Sequence, residues 1–549
     1  VVLRDRADVP IKDTAIDAIL SGMNIQREFE EPERRDVTYK FLKSILTSRI
    51  ETAVVYDTLD NVANIMVQNS DEGIRKLARG AYVQFLLEYP QKGKRWKVQL
   101  NFLQENLGYE AEGGRLSILD VIHSLLRKAS HEHVQKIADT LFIPLILVLA
   151  NDGVQKCKEW AGELLKTILS KADEDLISTF LTQMRTWVGT TDNPHMVSVT
   201  LQVYRFYYEA QSVDDTDVPL LQQNILNLLK SADDQEIEWP MIYNALKLTQ
   251  TLVDKFPEIL LSSDSRTLWK AITKCLSYPN QWVKSSAAQL TRTYFENLAG
   301  GGIEGLPLKN AHGLELSGEN INQLLRRGVH IFKTPDLEQY LADVVLPLLA
   351  YLGICAGVNG LAFRPVDKSD DEEDDCEEPA EQRTALQYLF ARLSYFLRRE
   401  PSQPRAPFLI PKTSALALLA TLTSKLPADS IVHCLPTILL PLQHLTDKNI
   451  PTPYSTDELF KTNYNELKSN SAEILEKLQK KVGTQVFTEL AVSVGQERRA
   501  KRVQRSTKRK IDAVANPERS GEQKRKKTER KKERRKEKGA EHRAQRHER

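Results

Sequence analysis

A chain of 549 residues with 41% hydrophobic and 27% charged residues, and only 24 Gly and 24 Pro, can bury a core but exceeds what one compact core usually supports. That excludes a disordered or loop-rich protein and leaves several domains or an open repeat array. The net charge of +2 conceals a division: Glu497 to Arg549 hold 23 Lys/Arg and 9 Asp/Glu, leaving 53 and 65 for residues 1–496, so the end carries +14 and the body −12.

The first residue is Val, and Val1 to Pro10 resemble neither a signal nor a transit peptide. The expectation is therefore that the numbering starts inside a longer protein. From there apolar residues recur at spacings of three and four, with no sustained alternation, which predicts an all-α fold. A short polar turn followed by an amphipathic helix then returns about every 40 residues. The turns begin at Asp71-Glu-Gly, Ala111-Glu-Gly-Gly, Asn151-Asp-Gly, Asp192-Asn-Pro and Pro279-Asn-Gln, with a weaker copy at Asp233-Asp234-Gln235. Asp or Asn in the turn is expected to cap the second helix by accepting its free amide hydrogens. A helix pair alone cannot bury both faces, whereas stacked pairs share one core, so this period predicts a HEAT- or armadillo-type α-solenoid over residues 1–298. First helices are legible too: Phe142-Ile-Pro-Leu-Ile-Leu-Val-Leu149 reads as a helix buried on both sides.

Residues 299–316 read as a Gly-rich linker. Gly300, Gly302 and Gly305 formally match G-x-G-x-x-G, but they follow a helix rather than a strand, so the dinucleotide-binding context is missing. Residues 317–365 read as a further helical repeat. Within them Val344 to Phe363 is uncharged and long enough to cross a bilayer; Pro347, Gly353, Gly357 and Gly360, together with the amphipathic lead-in from Leu337, favour a buried solenoid helix ending in a turn. Residues 366–380 hold an acidic run, Asp367 to Glu378, that has no apolar face and reads as a disordered insertion. Ser369, followed directly by acids, is a candidate phosphorylation site for an acid-directed kinase. Helical repeats resume over 381–496, ending in a long segment from Asn465 to Val492.

From Glu497 to Arg549 apolar residues nearly vanish, and the last aromatic is Phe487. Basic clusters stand at Lys501 and Arg502, at Lys508, Arg509 and Lys510, at Lys524, Arg525, Lys526 and Lys527, and at Lys531, Lys532, Arg534, Arg535 and Lys536. The first two have the shape of a two-part nuclear localisation signal read by an import receptor. Equally, each Lys or Arg that neutralises a phosphate releases counterions, so the tail suits RNA contact that weakens with salt. Without aromatics to stack on bases it reads only charge and shape.

No Walker A loop, H-E-x-x-H, G-x-S-x-G or kinase motif set occurs, so no enzyme and no cofactor is expected. His131-Glu-His133 is the densest histidine site and lacks the partners a metal needs, which makes it a surface turn. Cys157, Cys275, Cys355, Cys376 and Cys434 lie at least 21 residues apart and suit reduced thiols.

Specific strings go further. Ala81-Tyr-Val-Gln-Phe-Leu-Leu-Glu-Tyr-Pro-Gln-Lys-Gly-Lys94, Leu100-Asn-Phe-Leu-Gln-Glu-Asn-Leu-Gly-Tyr-Glu110, Gly114-Arg-Leu-Ser-Ile-Leu119, Phe142-Ile-Pro-Leu145, Asn151-Asp152 and Cys157-Lys158 resemble the family of the very large HEAT-repeat component 20 of the U3 small nucleolar RNA-associated complex, also called down-regulated in metastasis. The resemblance is most specific from Tyr39 to Leu169, fits that family's C-terminal end in its order of features, and matches no individual motif between Gly300 and Asp447. It implies a nucleolar, non-catalytic scaffold of the small-subunit processome, or 90S pre-ribosome, supporting pre-ribosomal RNA processing toward 18S rRNA. The implied partners are pre-ribosomal RNA, the U3 particle and other processome proteins, with no membrane. The alternative reading is a HEAT-repeat nuclear transport receptor, against which the basic tail argues.

Overall fold

The computed structural model describes residues 12–190, 193–211, 215–232, 237–298, 318–333, 339–359, 384–399, 405–447, 453, 457–515, 525, 528 and 532. They form helices, with no β-strand among them, grouped into two compact units whose described parts end at Leu298 and begin at Gly318.

In the first unit the helices are α1 (Asp13–Gly22), α2 (Ile25–Glu30), α3 (Pro32–Ser48), α4 (Ala53–Gln68), α5 (Glu72–Glu88), α6 (Arg95–Asn106), α7 (Glu112–Lys128), α8 (His131–Asn151), α9 (Gln155–Lys171), α10 (Glu174–Thr190), α11 (Pro194–Ala210), α12 (Val218–Lys230), α13 (Trp239–Lys255), α14 (Pro257–Leu260), α15 (Arg266–Lys274) and α16 (Gln281–Leu298). Each first helix packs on the second helix of its own pair. The second helices α3, α5, α7, α9, α11, α13 and α16 also pack on one another in succession. This is the contact pattern of an α-solenoid, in which every repeat finds its core between itself and its neighbours.

The core lies between the two helix layers. Leu141, Phe142, Leu145 and Ile146 of α8 and Leu164, Leu165 and Ile168 of α9 are fully buried, each side chain contributing about 1.5–3 kcal/mol by leaving water. Phe142 also stacks on Phe180 of α10, centroids 3.7 Å apart, and so couples one repeat to the next. The apolar run of α8 is nevertheless not buried on both sides. Ile143 is 43% and Leu147 48% exposed, because a first helix in a two-layer stack keeps an outer face whatever its composition.

At the turns, the expected caps form at three places. Asp71 Oδ1 accepts from Ile74 N–H at 3.0 Å, Asn193 Oδ1 from His195 N–H at 3.0 Å and Met196 N–H at 3.3 Å, and Asn280 Oδ1 from Trp282 N–H at 2.9 Å. The turn at Ala111 has no side-chain cap, and Asp233, Asp234 and Gln235 lie outside the described residues. At Asn151-Asp152 the carboxylate does both: Asp152 accepts from the Val154 N–H at 2.8 Å, just before α9, and from Arg115 Nε at 2.8 Å and Nη2 at 3.1 Å.

Arg115 reveals a second rule of the turns, directed at the preceding helix. Its Nη1 donates to Tyr109 and Glu110 carbonyls at 2.7 and 2.9 Å, just beyond the end of α6. Arg75 does the same to Asn69 and Ser70 at 2.9 and 2.7 Å beyond α4, Arg35 Nε reaches Phe29 O at 2.9 Å, and Lys158 Nζ reaches Ala150 O at 3.3 Å. The last carbonyls of a helix lack intrahelical donors, and a cation early in the next helix supplies them while facing the negative end of the dipole.

The second unit repeats the stacking with α17 (Gly318–His330), α18 (Gln339–Asn359), α19 (Ala385–Arg398), α20 (Ile410–Lys425), α21 (Ala428–Thr446), α22 (Glu458–Val482) and α23 (Thr484–Ala515), each packing on the next but one and most also on the next. The described part of the uncharged stretch, Val344 to Asn359, belongs to α18, whose Leu348, Leu349, Leu352 and Cys355 are buried. A side chain at Gly353 would meet Leu422 at 2.8 Å and Leu389 at 3.0 Å, so glycine there lets α19 and α20 close on α18. Two other described helical stretches, His131–Asn151 and Ala406–Lys425, are long and apolar enough to cross a membrane, and both are mostly buried in the helix stacks. The long segment expected from Asn465 to Val492 is two helices. Gly483 adopts φ +93, a conformation that L side chains resist, and parts α22 from α23.

Candidate nucleic-acid interface

The basic end grows out of the second unit's last helix. α23 packs on α21 and α22, and Val494, at 6% exposure, is the last buried apolar residue among those of α23 whose burial the structure describes. Beyond it Val503 is 65% and Ile511 62% exposed. The helix nonetheless continues without a break through Gln496 and Glu497 to Ala515. Arg, Lys, Gln, Glu and Ala, which fill this stretch, are good helix formers, so the change of composition at Glu497 is not a change of backbone.

Lys501, Arg502, Lys508, Arg509 and Lys510 therefore sit on one helix. At 3.6 residues per turn the register brings positions 501 and 502, 505, and 508 and 509 round to the same side, spanning about 12 Å of axis. Lys510 is exposed, as are Arg525 and Lys532 farther on. Lys524, Lys526, Lys527, Lys531, Arg534, Arg535 and Lys536 lie outside the described residues, as do Ser369, Cys376 and the glycines 300, 302 and 305.

Elsewhere the candidate chemistry disperses. His131 and His133 lie in the first turn of α8 rather than in a loop; His131 Nε2 meets Asp173 at 3.1 Å, and His133 Nδ1 shares a 2.8 Å hydrogen bond with Ser130 while its ring packs on Trp96. Among the described residues no three His, Cys, Asp or Glu side chains gather as metal ligands. Cys157, Cys275, Cys355 and Cys434 are buried thiols outside any disulfide, and burial pushes Cys434 up to about 12.

Sequence reading missed a second group of cations, on the second-helix layer of the first unit. Lys166 of α9, Arg205 of α11 and Lys247 of α13 follow one another at close to the repeat period. Lys166 Nζ and Arg205 Cζ lie 5.1 and 5.2 Å from the Phe206 ring centre, and Lys247 Nζ lies 5.4 Å from that of Tyr243. Burial, with Arg205 adding to it, holds the Lys247 ammonium below the usual lysine value. The spacing was the available signal, obscured because each cation stands alone among apolar residues in the sequence.

No family model matches the chain. Two curated proteins are similar over nearly all of it: U3 small nucleolar RNA-associated protein 20 of Saccharomyces cerevisiae, 28% identical over 526 residues, and the protein of the same name in Schizosaccharomyces pombe, 24% identical over 517 residues. They cover 95% and 93% of this chain, which in turn spans about a fifth of their length, 20% and 19%. The resemblance carried by the strings between Tyr39 and Leu169 thus extends through most of the stretch from Gly300 to Asp447, where no single motif carried it. Among solved structures, the crystal structure of Kap121p bound to Nup53p overlaps 88% of this chain and 51% of its own at 13% identity and a TM-score of 0.42. A crystal structure of an engineered protein overlaps 85% and 99% at 13% identity and a TM-score of 0.35.

Proposed function

We propose that this chain is a non-catalytic scaffold for ribosome biogenesis, working in the small-subunit processome where pre-ribosomal RNA is processed toward 18S rRNA. The observation that carries the reading is the similarity, over nearly all of this chain, to about a fifth of the length of two proteins named as U3 small nucleolar RNA-associated. The fold supports it, since a stack of helix pairs offers extended surface and a helix bearing Lys501, Arg502, Lys508, Arg509 and Lys510 projects beyond the last buried residue. In this reading the solenoid holds processome proteins, and the basic end contacts pre-ribosomal or U3 RNA phosphates and engages an import receptor that delivers the protein to the nucleolus. Ser369, within the acidic run, is a phosphorylation site that adjusts the charge of the body relative to the tail.

The test is crosslinking and sequencing of RNA bound in cells to the tagged protein, beside a full-length version in which the tail cations from Lys501 to Lys536 are glutamine. Crosslinks on pre-ribosomal RNA or the U3 RNA, reduced in the glutamine version, are expected. Recovery of soluble import cargo without such RNA from the unaltered protein would contradict the reading.

A further inference from the structure

The tail supplies charge but no aromatic surface, whereas the second-helix layer of the first unit supplies both. Along α13, Trp239, Tyr243 and Lys247 stand at i, i+4 and i+8 and form one line: the Trp239 and Tyr243 rings meet edge to face at 6.4 Å, and the Lys247 ammonium lies 5.4 Å from the Tyr243 centre. Next to this line, on α11, Arg205 adds its charge to the surroundings of Lys247, and beyond it Lys166 of α9 shares the Phe206 ring with Arg205. On the other side α16, which packs on α13, carries Trp282 in its first turn. Trp239 is 42% and Trp282 54% exposed, unusual for the largest apolar side chain in a protein that buries Trp269 completely.

The charge balance of this strip is positive. Glu163 lies 3.2 Å from Lys166; Glu209 lies 3.7 Å from Lys166 and 3.5 Å from Arg205. Two carboxylates thus face three cations. Lys247 makes no ion pair among the described residues, whereas the buried Arg205 Nε faces Glu209 at 3.5 Å, too far for a well-formed hydrogen bond. An anion reaching the strip would meet the unpaired Lys247 ammonium beside the Arg205 charge, with the Trp239 ring about 12 Å away along the helix axis, eight residues at 1.5 Å each.

We infer that the strip formed by Trp239, Tyr243, Lys247, Arg205 and Lys166, with Trp282 beside it, is a binding site for single-stranded RNA, in which bases stack on the tryptophans and phosphates sit on the cations. The inference rests on the RNA-binding part of the function proposed above and adds to it a place where unpaired bases are held. A positively charged track beside exposed aromatic rings is the arrangement that takes single strands in preference to duplexes, because a duplex keeps its base faces stacked inside. An acidic peptide would use the cations but has no flat rings to cover Trp239 and Trp282, so RNA fits more of the strip.

The test uses the full chain with the tail cations from Lys501 to Lys536 changed to glutamine, and follows the fluorescence anisotropy of a labelled 12-nucleotide single-stranded RNA, a 12-base-pair RNA duplex and a 12-residue polyglutamate. The single strand is expected to bind this version better than the duplex or the peptide. Adding Trp239→Ala with Trp282→Ala should weaken it about ten-fold or more at unchanged salt dependence, and Lys247→Gln should weaken it while flattening the salt dependence. Circular dichroism melting of each variant checks folding, which exposed tryptophans should not disturb. Equal single-strand affinity with and without the tryptophans, tighter binding of polyglutamate, or binding only when the tail is intact would each overturn the inference, the last leaving the tail reading in place. No binding even by the unaltered chain would remove the RNA reading itself.

Discussion

The solenoid and the basic end use the same residue types for opposite purposes. In the first unit Arg75 and Arg115 turn inward to the carbonyls at helix ends, and Arg115 is held by Asp152 with side chains only 13% and 5% exposed. On α23 the cations follow after the last buried apolar residue, Val494, and Lys510 faces solvent. A cation therefore tells little by its identity. What it does depends on whether an apolar surface and an unsatisfied carbonyl lie within its reach, and the practical consequence is that removing a helix-end arginine should destabilise the body, whereas removing the tail's charges should leave its fold untouched.

Arg115→Ala should show the largest effect on folding. It leaves the nearly buried Asp152 with the Val154 N–H but without its counter-ion, and the Tyr109 and Glu110 carbonyls without their donor, a loss of about 3 kcal/mol in the urea unfolding of the unit that contains it. Arg115→Lys should recover part of this, since an ammonium cannot fork to a carboxylate and two carbonyls together. A loss no larger than that of an exposed arginine would erase the distinction between body and tail.

A cap should cost less. Asn193 accepts from both His195 and Met196 amides, so Asn193→Ala is expected to destabilise by about 1 kcal/mol, seen as a lower midpoint with an unchanged slope in urea. The smallest effect is confined to acid. The Ile74 amide holds the Asp71 carboxyl below the usual carboxylate range, so its contribution is complete above the unfolded value of about 3.9 and fades as pH falls through the lower folded value. Asp71→Asn caps without titrating, and its stability relative to the unaltered chain should therefore rise only below about pH 4. A difference that stays constant from pH 7 to pH 2 would show that the carboxylate's charge is not what caps α5.

Much of the architecture was legible because it repeats. The turns at Asp71, Asn193 and Asn280 carry their own caps, and stacked helix pairs follow from the period. Arg35, Arg75 and Arg115 also recur at a constant interval, yet their partners are backbone carbonyls, which no residue type announces. The run from Phe142 to Leu149 misled for a related reason: Ile143 and Leu147 face outward without any polar residue to mark that face. At Gly483 helix-favouring sequence continues on both sides, so only the positive φ shows the break. Of the candidate site, the basic clusters were plain in composition, but their continuity with a packed helix was not, and the strip across α9, α11 and α13 joins residues that only stacking brings together.

The most direct test of the account measures RNA affinity against salt for the full chain and for the version with its tail cations changed to glutamine, alongside the thermal melting of both. Each phosphate contact by the tail should contribute about −0.7 to the slope of log affinity on log salt for a single strand. The prediction is a marked flattening of that slope with melting temperatures that coincide. A slope unchanged by the substitution, or a melting point that falls with it, would contradict the claim that the body's helix-end cations build the fold while the tail's charges carry most of the phosphate contact.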